Sequence, residues 1–193
     1  MSEFQLFLQM GFEHIADPKG YDHILFIIAL CAVYQPKDWK KLLILVTAFT
    51  IGHSVTLALA TLQIVNVSSE LIEFLIPVTI FLTAIFNYFN NDRKSRKKMS
   101  SRYWLALFFG LIHGLGFSNY LRSLLGKDES IISQLLAFNI GLELGQIMIV
   151  VIIFIFTFLF SGIGSVKKRE WNLLLSGAAG GIAFTMMLER SVF

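Results

Sequence analysis

A chain of 193 residues that is 55% hydrophobic and only 15% charged is not an ordinary soluble domain, where about 25% of residues carry charge. Its net charge of +3 comes from basic residues in loops between apolar runs, so there is no basic groove and nucleic-acid recognition is excluded. The single cysteine, Cys31, lies inside an apolar run; this rules out a disulfide framework and reads as a small buried hydrophobe.

In chain order the sequence predicts an all-α, polytopic membrane bundle of about six transmembrane helices, since about 20 apolar residues cross a bilayer. The N-terminal stretch, with Glu3 as its first charge and no basic run, does not read as a cleaved signal. The first span ends near Tyr34 and starts near His14, or is broken at Asp17-Pro18 with a short helix before it. The others are predicted over Leu42–Leu62, Leu71–Phe89, Trp104–Leu125, Ile131–Phe160 and Leu173–Leu188. Pro77 is expected to kink the third span without ending it. No polar segment reaches domain size, so residues 1–193 read as one integral membrane domain.

Loop charge orients the bundle. Lys37, Lys40 and Lys41 follow the first span, Arg93, Lys94, Arg96, Lys97, Lys98 and Arg102 the third, and Lys167, Lys168 and Arg169 the fifth. Only Lys19, Arg122, Lys127 and Arg190 fall on the other side. The positive-inside rule makes those three loops cytoplasmic and both termini non-cytoplasmic, in a cell membrane of bacterial inner-membrane type. Glycines four apart (Gly110 and Gly114, Gly141 and Gly145, Gly177 and Gly181) predict close helix approach in spans four, five and six.

The ionisable groups inside these spans are the functional candidates, because each is costly to remove from water. His23 lies 14 residues from Lys37, His53 lies 12 from Lys41 and His113 lies 11 from Arg102. At 1.5 Å per residue each stands roughly 16–21 Å above the inner boundary. Glu143 lies 12 residues inside Ile131, or about 18 Å down from the opposite face. Asp22 is next to His23, and His14 can fold over from the Pro18-Gly20 break. Alone, each has a packing explanation: Asp22 as a helix cap, Glu143 bonded within its own helix, a histidine as a hydrogen-bonded filler. Together at one depth they read as a divalent transition-metal site of His14, Asp22, His23, His53, His113 and Glu143, for nickel, cobalt, zinc or iron. Ser54, Thr56, Asn139 and Gln146 are placed to orient such ligands. Phe49-Thr50-Ile51-Gly52 echoes Phe138-Asn139-Ile140-Gly141, a repeat too short to carry weight alone.

The stretches Gly20-Tyr21-Asp22-His23-Ile24-Leu25-Phe26, residues 49–57, Phe109-Gly110-Leu111-Ile112-His113-Gly114-Leu115-Gly116-Phe117 and the Phe-Asn-x-Gly-x-Glu of 138–143 resemble those of the HupE/UreJ family. The resemblance covers nearly the whole chain. It implies a membrane accessory protein of hydrogenase and urease systems that moves nickel or cobalt, with functional groups at His14, Asp22, His23, His113 and Glu143. The family spacing is His, five residues, then Asp-His; here seven residues separate His14 from Asp22.

Three functions follow. In the first, a metal permease draws cations in through Glu13, Asp17 and Asp22 and binds them at midplane. In the second, a zinc-dependent intramembrane hydrolase uses Glu143 or Asp22 as general base, although no His-Glu-x-x-His motif is present. A metal-dependent scaffold or sensor is the third. The expected partners are the lipid bilayer, the metal ion and, in a homo-oligomer, further copies of the chain.

Overall fold

The computed structural model describes residues 1–89, 96–124 and 131–190, and these are helical with no strand. The helices are α1 (Glu3–Ala16), α2 (Asp22–Cys31), α3 (Trp39–Thr61), α4 (Ser69–Phe89), α5 (Arg96–Gly116), α6 (Ser118–Leu124), α7 (Ile131–Thr157) and α8 (Lys168–Glu189). Among the described residues four helical stretches are long and apolar enough to cross a membrane: 36–61, 69–89, 131–161 and 168–189. α2 is a shorter apolar helix.

The first predicted span is broken, by the second of the two routes the sequence allowed. Proline disfavours helical backbone in the residue before it, and Asp17 is extended at φ −66°, ψ 116°. The Asp17 carboxylate then accepts from the Lys19 backbone N–H at 2.8 Å, closing a side-chain turn. α1 starts on a capping box formed by Ser2 and Gln5. The predicted fourth span is divided as well, into α5 and α6 at Phe117. Its predicted end, Leu125, and the basic residues Arg93, Lys94 and Lys127 lie outside the described residues.

Pro77 leaves α4 continuous. It has no N–H for the carbonyl of residue 73, four positions back. Arg190 replaces that donor, its guanidinium 3.4 Å from the Glu73 oxygen. The end of α8 is thereby tied to the first turns of α4.

Two helix pairs are packed backbone to backbone. On α3 and α5, a side chain added at Gly52 would strike the Leu107 carbonyl, and one at Gly110 the Phe49 carbonyl. On α1 and α7, one at Gly11 would strike the Phe138 carbonyl, and one at Gly141 the Leu8 carbonyl. The neighbours of Gly114 (His53, Thr56) and Gly145 (Phe12, Ile15) continue in the same direction, so both pairs run parallel. The spacing of the glycines in spans four and five thus does mark close packing. In span six it does not: nothing lies within 4 Å of Gly177 or Gly181, and Gly180 is the residue packed on Ala84. α4 and α8 run antiparallel, since Ala84 meets Gly180 while Asn172 donates to the Asn87 carbonyl and Arg190 to that of Glu73.

Candidate metal centre

The break between α1 and α2 brings the last turn of one helix against the first turn of the next. His14 and His23 consequently stand ring to ring at 4.6 Å. α3 contributes His53, 5.9 Å from the His14 ring and 6.1 Å from the His23 ring. The three imidazoles can each offer a nitrogen lying within 4.8 Å of the other two. A tetrahedral ion with bonds of about 2.0–2.1 Å holds nitrogens about 3.3 Å apart, so side-chain rotations of roughly an ångström close the set. The ring of His113, on α5, lies 5.1 Å from that of His23.

His23, His53 and His113 are buried and His14 half-buried, all within an aromatic shell. His53 is 0% exposed and His113 1%. Phe138 stacks on His53, Phe117 packs 4.1 Å from His14, and Phe26 and Phe49 flank His113. Yet His14 Nε2, His23 Nε2, both nitrogens of His53 and His113 Nδ1 make no hydrogen bond. Each unsatisfied buried polar atom costs about 1–3 kcal/mol. Native structures rarely keep five such atoms together. A metal ion can take one lone pair from each of His14, His23 and His53, and that donor set fits one.

Orientation of the rings points the same way. Asp22 Oδ1 lies 2.9 Å from His23 Nδ1 and holds the proton there, which leaves Nε2 with its lone pair. The carboxylate–imidazole pair is the usual outer partner of a metal-bound histidine. Arg190 reaches the other Asp22 oxygen at 3.7 Å. For His113 the partner is Thr79, 2.9 Å from Nε2. The single hydroxyl proton of Thr79 goes to the Ile76 carbonyl at 2.7 Å, so the hydroxyl oxygen accepts from His113 Nε2–H and Nδ1 keeps the lone pair.

Of the residues singled out in the sequence, His14, His23 and His53 converge, with His113 beside His23 and Asp22 behind it. Glu143 is not in the converging set; it accepts from the Thr47 hydroxyl of α3 at 2.7 Å. The expected orienting residues behave differently as well. Ser54 and Thr56 donate to carbonyls of their own helix, and Gln146 accepts from Thr50. Orientation falls to Asp22, which was foreseen as a ligand, and to Thr79 and Arg190, which were not. Pro77 was the available signal for Arg190, because it announces a carbonyl in need of a donor.

A cavity of about 520 Å³, lined by Glu13, His14, Asp17, Phe117 and Tyr120 among others, ends on His14. On the other side the path from His23 runs into buried Phe26, Ala29, Leu30, Leu45 and Phe49. It ends at a polar knot in which Asn87 bonds the Ala29 carbonyl and Ser176 and accepts from Arg102. A second cavity, of about 460 Å³ and walled by Phe26, Leu30, Asn87, Arg102 and Phe109 among others, lies on this side.

Asp22→Asn tests the orienting role. It retains the volume but removes the charge that fixes the His23 tautomer, so metal affinity should fall by about 10–100-fold. Competitive titration against a colorimetric chelator reads the change. An unchanged affinity would make Asp22 a helix-start residue only.

The family model described as HupE / UreJ protein matches residues 1–190 of the chain. No curated protein and no solved structure matches it.

Proposed function

The chain belongs to the HupE/UreJ family, and from that premise we propose that it is a nickel or cobalt permease of the bacterial inner membrane. His14, His23 and His53 bind the ion, Asp22 orients His23, and His113 lies on the exit side. The observation that carries this reading is the convergence of His14, His23 and His53, each with a buried ring nitrogen that has no hydrogen-bond partner, at the end of an acid-lined cavity. Family membership supports nickel and cobalt over other divalent ions. Glu13 and Asp17 at the cavity wall attract a cation from the outer side.

Six crossings are proposed: α1 with α2 as one broken span, α3, α4, α5 with α6, α7 and α8. The basic stretches at 35–41, 90–102 and 164–169 then face the cytoplasm. Exposed Trp39 and Trp104 sit beside Lys40 and Arg102, where aromatic residues mark a membrane–water boundary. Both termini face outward. The hydrolase reading has no support in the site. Of its two candidate bases, Glu143 is bonded to Thr47 and Asp22 to His23.

Purified protein in liposomes enclosing a nickel-sensitive dye tests the function. Wild type should admit nickel, and His23→Ala should reduce the rate by at least about 100-fold, because it removes a ligand as well as its outer partner's purpose. Metal that binds wild type but never enters the liposome would leave a sensor or scaffold, and the permease reading would fail.

A further inference from the structure

The two halves of the chain follow one plan, and the plan places His113 where His14 stands. Gly11 abuts the Phe138 carbonyl and the Leu142 N–H; Gly110 abuts the Phe49 carbonyl and the His53 N–H. Gly141 abuts Leu8 and Phe12; Gly52 abuts Leu107 and Leu111. One constant shift of 99 carries residues 8, 11 and 12 to 107, 110 and 111, and one of 89 carries 49, 52 and 53 to 138, 141 and 142. The same mapping turns the His14–Phe138 contact, 5.7 Å between rings, into His113–Phe49 at 5.1 Å. The Phe-x-Ile-Gly echo between residues 49–52 and 138–141 is the trace of this in sequence.

The halves are also inverted. α4 and α8 are antiparallel, and each follows its preceding span through a short connection that reverses direction. α3 therefore opposes α7, and their parallel partners α5 and α1 oppose each other. Inverted repeats of this kind bind cargo at the repeat interface and expose it to the two sides in turn.

What differs between the halves is access. His14 lines the outer cavity, whereas His113 is enclosed with Nδ1 unpartnered. His23 stands between them, 4.6 Å from one ring and 5.1 Å from the other. We propose that the cargo has a second position on His113 Nδ1 and His23, the counterpart of the first, and that His23 hands the ion from one to the other. The ion keeps its bond to His23, releases His14 and His53, and takes His113. The outward cavity then closes over His14 and an inward one opens beneath His113. This rests on the metal-binding reading above.

The test compares nickel binding with nickel entry in wild type, His14→Ala, His113→Ala and His113→Gln. The glutamine amide can still donate to Thr79, so His113→Gln keeps the local packing if the alanine variant does not fold. Both His113 variants should bind nickel within about threefold of wild type yet transport it at least about 100-fold more slowly, whereas His14→Ala should lose at least about 100-fold in binding. If His113→Gln loses binding as fully as His14→Ala, there is one four-histidine site and the relay is wrong. Wild-type transport by His113→Gln would overturn it too. A wild type that binds neither nickel nor cobalt overturns the underlying metal reading, and the relay with it.

Discussion

His53→Leu is expected to lose metal affinity by at least about 100-fold, beyond the effect of losing an outer partner, while the metal-free protein stays as stable as wild type or gains stability. His53 is fully buried and neither of its ring nitrogens has a partner. Relieving two unsatisfied buried atoms is worth about 1–3 kcal/mol each. Leucine fills much of the volume and stands at the corresponding place in the other half, as Leu142. Wild type should gain about 2.7 kcal/mol of stability when metal is at 100 times its Kd, and the variant should gain almost none. Thermal unfolding with and without nickel reads both arms. A histidine serving only as packing would give the reverse: lower metal-free stability and an unchanged response to nickel.

The second large effect is structural. Gly52→Leu or Gly110→Leu should prevent folding or cost at least about 3 kcal/mol, the upper range for an overpacked site. The obstacle at each is main chain: the carbonyls of Leu107 and Phe49 cannot rotate aside without moving a whole helix. Because His53 and His113 sit one residue and three residues beyond these glycines, the same shift would separate the ligands. Gly177→Ala and Gly181→Ala meet open space and should change stability by no more than about 0.5 kcal/mol. Size-exclusion profiles and unfolding in detergent distinguish the two groups. Equal damage from all four would show that α3 and α5 are not in backbone contact.

Much of the fold was legible because membrane spans are written in composition and length. Counting residues puts His23, His53, His113 and Glu143 at one depth, and the His53 and His113 rings stand 6.1 and 5.1 Å from that of His23. Depth fixes height along a helix but not direction around it. Glu143 shares the expected depth, yet it faces Thr47 on α3. Asp22 was read as a ligand because sequence shows its neighbour, His23, but not that its carboxylate closes on that neighbour's Nδ1. Glycine spacing had the same limit: Gly110 and Gly114 face a helix, Gly177 and Gly181 face outward. In sequence the duplication shows only as three matching residues in a stretch of four, whereas in the structure eight backbone contacts map onto one another.

The most direct test of the account is X-ray absorption at the nickel edge on wild-type protein loaded with one equivalent and freed of unbound ion. Imidazole nitrogens are expected in the inner sphere, with the outer-ring scattering characteristic of coordinated histidine, and three of them when the cavity-facing position is filled. A spectrum of oxygen ligands alone, from water and exposed carboxylates, would contradict a histidine site and leave His14, His23, His53 and His113 as packing residues.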